Sequence, residues 1–191
     1  VKPTLVDFMR KKLKRVPQVI LPKDASIILA YTGIGENAVV VDAGTGSGFL
    51  AIFLAYYIPN GKIVTYEKRK DFYRIAKRNI SLLGLKNVVI KNKDILKGID
   101  EKNVDLVTLD MKDSNKVIKH AYKALKHGGW LVVYSPYIEQ VLKVEKEIKR
   151  RKFTDIKVVE CITREWRLEE RTRPTTSGIT HTGFLTFARK V

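Results

Sequence analysis

The run Asp42-Ala43-Gly44-Thr45-Gly46-Ser47-Gly48 sets one carboxylate ahead of three alternating glycines. Glycines at that spacing let a backbone turn sharply out of a strand into a helix and approach a ligand closely. A dinucleotide fingerprint would carry glycine at position 49, where Phe49 stands, so the loop does not suit a pyrophosphate and a nicotinamide oxidoreductase is disfavoured. Asp42 at the head of the loop suits a positively charged ligand, or water bound to it, and would repel a phosphate. Glu67 follows the glycines by about 20 residues, the interval at which a strand-end acid hydrogen-bonds a ribose diol. Asp94 is placed to accept from the exocyclic amine of an adenine, with Phe72 and Ile95 as apolar walls for its ring. Amino acid, ribose and adenine each find a partner, and the D-x-G-x-G-x-G order is the one that S-adenosylmethionine enzymes use. The expected cofactor shell is Asp42, Gly44, Gly46, Ser47, Gly48, Phe49, Glu67, Phe72, Asp94, Ile95 and Asp110. The competing reading is a structural glycine turn with solvated Glu67 and Asp94.

Asp110 closes the run Val104 to Leu109 and precedes Met111-Lys112-Asp113. In methyltransferases acting on an amino-bearing base this strand end faces the methyl group, which makes Asp110 the catalytic candidate. Its alternatives are a cap on the following turn or a contact to the cofactor's sulfonium region. The single cysteine, Cys161, supports neither an internal disulfide nor a cysteine-rich metal site, and reads as a buried small residue in a strand. No metal is expected.

These residues need a frame that brings strand ends together. From residue 38 onward, short β-rich runs alternate with helical patterns at the cadence of βαβ units. Strands are expected at Ala38 to Asp42, Lys62 to Tyr66, Val88 to Lys91, Val104 to Leu109 and Trp130 to Tyr134. Helices fall between them: Phe49 to Tyr57, a stretch with Phe72, Ile75, Ala76, Ile80 and Leu83 capped by Gly84, one with Val117, Ile118, Ala121, Tyr122 and Leu125 ended by Gly128-Gly129, and one with Ile138, Val141, Leu142 and Ile148. Ile156 to Ile162 and Gly183 to Ala188 lack a helical pattern between them and suggest an antiparallel pair at the sheet edge. The fold class is α/β: a Rossmann-like, seven-stranded, mostly parallel sheet with helices on both faces. Residues 1–37 form a helical, basic lead-in and residues 38–191 the S-adenosylmethionine-dependent domain.

A chain of 191 residues, 45% hydrophobic, can bury one self-sufficient core. No apolar run reaches eighteen residues and no signal-peptide pattern precedes Pro17, so a soluble, cytoplasmic protein is expected, with no membrane partner. Lysine and arginine outnumber aspartate and glutamate by 37 to 20, a formal charge of +17. Ion-pair networks would need both signs, so the excess points to a polyanionic partner, nucleic acid foremost.

Several segments now align with one known family. The chain resembles the tRNA adenine N1-methyltransferases that modify the T-loop at tRNA position 58 and, in archaeal members, 57. The resemblance rests on Pro17-Gln18, Leu21-Pro22-Lys23-Asp24, Asp42 to Gly48, Leu109-Asp110, Gly128-Gly129-Trp130 and Tyr134-Ser135-Pro136. Its most specific piece is Arg173-Pro174 followed by His181-Thr182-Gly183-Phe184-Leu185-Thr186-Phe187-Ala188-Arg189-Lys190. Leu21 departs from it, standing where an aromatic residue or histidine commonly helps hold the target base, and Met111-Lys112 replaces a proline common after the catalytic acid. Members usually carry a small β-rich domain ahead of the catalytic one; a sequence starting at Val1 without methionine reads as a piece of a longer chain.

The resemblance implies methyl transfer to adenine N1 in tRNA by a homotetramer, with Asp110 as catalytic acid and Leu21, Lys23, Tyr134, Arg173 and His181 on the substrate side. N1 lies on the Watson–Crick edge, so the base must leave its stack. Arg10, Lys11, Lys12, Lys14 and Arg15, with Arg164, Arg167, Arg171 and Arg173, are the candidates to hold the displaced backbone. Two other readings compete: a small-molecule methyltransferase of the same fold, such as one acting on corrin precursors, and a non-catalytic RNA-binding module.

Overall fold

Strand β1 (Val39–Ala43) is apolar on both faces apart from Asp42, and its residues Val40 to Ala43 are all buried, as a central parallel strand covered by helices on each side requires. Alternation sends Val40 into one apolar cluster and Val41 into the other. Each such side chain contributes roughly 1.5–3 kcal/mol by its removal from water. The computed structural model describes residues 2–169, 171–176, 178 and 181–191.

The lead-in holds α1 (Leu5–Lys11) and α2 (Pro22–Thr32). Thr4 and Asp7 cap α1 reciprocally, and α2 opens on proline and closes at Gly33. Leu5, Met9, Ile20, Ala25 and Ile28 join the same cluster as α3 (Phe49–Tyr57), so the lead-in completes one face of the core. Helix α3 is apolar on every side because it lies between the sheet and the lead-in. The remaining helices α4 (Lys70–Leu82), α5 (Ser114–Ala124) and α6 (Ile138–Lys149) are amphipathic.

With β2 (Lys62–Tyr66), β3 (Val88–Lys91), β4 (Val104–Leu109), β5 (Leu125–Ser135), β6 (Phe153–Glu160) and β9 (Phe184–Lys190), the main sheet runs β3-β2-β1-β4-β5-β9-β6. The first five are mutually parallel; β9 is antiparallel to both β5 and β6. The last strand in sequence thus inserts beside β5 and leaves β6 at the edge. A two-residue pair, β7 (Trp166–Arg167) with β8 (Arg173–Pro174), forms a separate hairpin.

Three local expectations are corrected. Gly128-Gly129 does not end α5, which stops at Ala124 where Leu125 turns extended. The glycines instead lie inside β5, where Gly128 has φ +77° and its carbonyl accepts from Arg189 Nε at 3.0 Å. Cys161 lies one residue past β6 and is half-buried. Ile162 is also outside that strand, and exposed.

Candidate active site

The chain leaves β1 toward β2 and β3, then returns to β4 on the other side of β1. At such a reversal the connections diverge and a crevice opens at the carboxyl ends. The backbone N–H of Asp110 donates to the Ala43 carbonyl at 2.8 Å, bridging the two strand ends. Gly44 follows at φ +82°, and a Cβ there would stand 1.9 Å from the Asp110 carbonyl oxygen. The close approach of loop and strand end therefore needs glycine.

A first cavity of about 370 Å³ opens over this loop. Gly44, Gly46, Glu67, Phe72, Asp94, Ile95 and Asp110 line it, together with Val16, Pro17 and Gln18 from the lead-in. Glu67 accepts from Gly46 N at 2.9 Å and from Arg69 N at 2.9 Å, which aims the end of β2 at the loop. Asp94 caps the short 3-10 turn Ile95–Lys97 and buries Ile95 in the wall. The Arg69 guanidinium lies 3.8 Å from the Phe72 ring centroid.

Beneath the loop, Asp42 is buried and accepts from Thr65 Oγ1 at 2.6 Å and Thr108 Oγ1 at 2.7 Å. Burial raises its pKa against the pull of those hydroxyls, and the Glu67 charge adds to the rise. Ser47 is buried too, and its hydroxyl finds no protein partner among the described residues.

A second cavity of about 390 Å³ lies on the other side of Asp110, lined by Arg15, Val16, Gln18, Val19, Leu21, Asp110, Tyr134, Pro136, His181 and Thr182. Asp110 is thus common to both cavities. Removed from water and set near the Asp42 carboxylate, its carboxyl is pushed up to about 7. The Tyr134 hydroxyl donates to the Thr182 carbonyl, and its pKa is pushed up to about 12 by burial and then by the charges of Asp24 and Asp110. Gly183 lets the Tyr134 ring pack against it; a Cβ would meet the ring at 2.6 Å. The ring nitrogens of His181 face two acceptors, Glu160 Oε1 at 2.5 Å and the Pro136 carbonyl at 3.1 Å. Only the imidazolium satisfies both, and these partners hold the His181 pKa above its usual value.

A family described as "tRNA methyltransferase complex GCD14 subunit" matches residues 6–177. The chain belongs to this family. The tRNA (adenine(57)-N(1)/adenine(58)-N(1))-methyltransferase TrmI of Methanocaldococcus jannaschii is 38% identical, over 99% of this chain and 77% of its own length. The crystal structure of the tRNA (m1A58) methyltransferase TrmI from Aquifex aeolicus superposes with a TM-score of 0.91 at 29% identity, covering 99% of this chain and 76% of that one. A SAM-dependent O-methyltransferase from Thermotoga maritima also reaches 0.91, at 35% identity over 99% of this chain and 72% of its own. The fold is accordingly that of Rossmann-like SAM-dependent methyltransferases.

In this GCD14-family chain the residues expected around a cofactor divide into a lining and a foundation. Gly44, Gly46, Glu67, Phe72, Asp94, Ile95 and Asp110 face the first cavity, while Asp42 at the end of β1, Ser47 and Gly48 in the loop and Phe49 in α3 are buried outside its lining. On the substrate side, Leu21, Tyr134 and His181 face the second cavity. Lys23 does not line it: its ammonium donates to Asp24, to the Cys161 carbonyl and to Thr182, fastening α2 to the chain beside β6 and β9. Arg173 is exposed on the β7–β8 hairpin and lines neither cavity.

The sequence reading passed over Val16, Pro17 and Gln18 as cavity walls, and Thr65 and Thr108 as the supports of Asp42. A signal for the threonines was present: each is a polar residue flanked by apolar ones near the carboxyl end of its strand, and both pair in register with Asp42. No comparable signal marked Asn79, whose buried amide donates to the carbonyls of Lys14 and Ser47 and accepts from Lys14 N.

Proposed function

We propose that this chain transfers the methyl group of S-adenosylmethionine to ring nitrogen N1 of an adenine in the tRNA T-loop, in the cytoplasm and as a homotetramer. The observation that carries the reading is the meeting of two cavities at one carboxylate, Asp110. Family membership supports the tRNA substrate, and the relative named for adenine 57 and 58 supports the base and atom.

The residues present fit the cofactor. The glycine loop supplies a surface without side chains, Glu67 keeps lone pairs for a ribose, Asp94 a carboxylate for an adenine amine, and Phe72 and Ile95 its apolar flanks. When bound, the cofactor supplies an electrophilic methyl group on a sulfonium. Tyr134, Leu21 and His181 bound the space for the target base, and Arg15 brings a cation to its rim. With that group bound, the N1 lone pair would take the methyl carbon and the carbon–sulfur electron pair would stay on sulfur, so positive charge would pass to the base. No strong base is needed, because N1 is unprotonated at neutral pH. Asp110 as carboxylate accepts from the N6 amine, an interaction that strengthens as the ring becomes cationic.

The test is single-turnover transfer to unmodified tRNA by Asp110→Ala. The rate should fall by roughly 10²–10³ with cofactor affinity largely kept, the usual cost of one lost transition-state hydrogen bond. A rate near wild type would remove Asp110 from the mechanism.

A further inference from the structure

We infer that Gln18 selects adenine, its carboxamide reading the N6 and N7 edge of the base while Asp110 attends to the N1 side; this rests on the methyl-transfer reading above. Val16, Gln18 and Asp110 line both cavities, and since Val16 is apolar, Gln18 and Asp110 are the polar side chains common to the two. A side chain at that junction stands where the acceptor base meets the methyl group.

The backbone at Gln18 marks the position independently. Its φ is +62°, a left-handed conformation that is costly for any residue with a Cβ. Such strain persists where the surroundings enforce it, and it gathers at functional sites. Here the enforcing contacts are plain. The Asn79 amide, 2% exposed, donates to Lys14 O at 2.8 Å and Ser47 O at 2.8 Å, and accepts from Lys14 N at 3.0 Å, tying the lead-in to the glycine loop. Val16 and Ile20 are buried on either side of Gln18, so the turn between them is held at both ends.

A carboxamide pairs with adenine in two hydrogen bonds, accepting from N6–H and donating to N7. That edge leaves N1 open for transfer. The amine has two protons, so the one nearer N1 remains for Asp110. Guanine presents acceptors at both O6 and N7, which sets the carboxamide oxygen against O6, and its N1 carries a proton and has no free lone pair.

The test compares wild type with Gln18→Gly, which keeps the left-handed turn without strain and deletes the amide. Two substrates are used: unmodified tRNA, and the same tRNA with 7-deazaadenine at the methylated position, where N7 is replaced by C–H. Gln18→Gly should lower kcat/KM on the normal tRNA by about 10- to 100-fold and change S-adenosylmethionine affinity, by calorimetry, less than about twofold. The 7-deaza substitution should cost wild type about tenfold and the variant nothing further. A loss explained by weaker cofactor binding, a variant as active as wild type, or equal 7-deaza penalties in both proteins would overturn the assignment of Gln18. A wild-type protein that leaves tRNA unmethylated would instead overturn the methyl-transfer reading beneath it.

Discussion

At the scale of the residue, the proposed methyl transfer turns on how Asp110 holds its charge. Burial and the neighbouring Asp42 push its carboxyl up to about 7, so near neutrality it exchanges between acid and carboxylate. The carboxylate is a stronger acceptor than the acid for the N6 amine of the proposed substrate. The rate limb of kcat/KM should therefore rise with pH through about 7 and level above it, and a pH profile flat from 5.5 to 8 would contradict this. The same shift has a stability sign. The folded carboxyl keeps its proton to about 7 while an unfolded one releases it near about 4, so raising the pH between those values costs folding free energy. Asp110→Asn should consequently melt higher than wild type at pH 8, with the difference shrinking toward pH 4, even as activity is lost. Asp110 was legible as a strand-end acid; its elevated pKa was not, because it arises first from burial in the folded chain and then from Asp42, 68 positions away in sequence, brought close by the β1–β4 pairing.

At the scale of the element, the site is the product of a crossing in the sheet, and Gly44 is where that crossing is tightest. Gly44→Ala forces a Cβ onto the Asp110 carbonyl, 1.9 Å away, and should abolish cofactor binding by calorimetry while lowering Tm. Gly84→Ala is the control. It shares a positive φ, but a Cβ there meets nothing within 4 Å, so it should cost only about 1 kcal/mol and leave binding intact. Equal effects of the two would deny the loop its special role. The βα cadence was readable because each buried strand is a continuous apolar run and each helix carries a 3.6-residue stripe. Pattern reached the antiparallel pairing of β6 with β9 but not which of the two lies inside: β9 also pairs with β5, although 48 residues lie between Ser135 and Phe184. Nor could it show that the lead-in roofs both cavities, since Asn79 and Lys14 meet only through long-range hydrogen bonds. Gly128-Gly129 misled for a local reason: glycine pairs commonly end helices, and here one relieves a left-handed kink inside β5.

At the scale of the whole molecule, the formal charge of +17 is the excess that would remain even if every acidic residue were paired with a basic one. Arg15 lines the second cavity and the exposed basic run Arg10-Lys11-Lys12 lies on the same lead-in, which makes them the candidates to meet the phosphates of the proposed substrate. Binding through six or more phosphates should weaken tRNA affinity by about 10³-fold or more between 50 and 200 mM salt, whereas cofactor affinity should barely move. A shallow salt dependence for tRNA in a filter-binding titration would show that the charge serves something else. Among the described residues no helix is long and apolar enough to cross a membrane.

In the proposed reaction, two cavities joined at Asp110 set a methyl donor against N1 of an adenine. The most direct measurement incubates the chain with unmodified tRNA and methyl-labelled S-adenosylmethionine, digests the product with nuclease, and locates the label by mass spectrometry. The expected product is 1-methyladenosine in a T-loop fragment. Label on an oxygen, on another base, or on no nucleotide at all would contradict it.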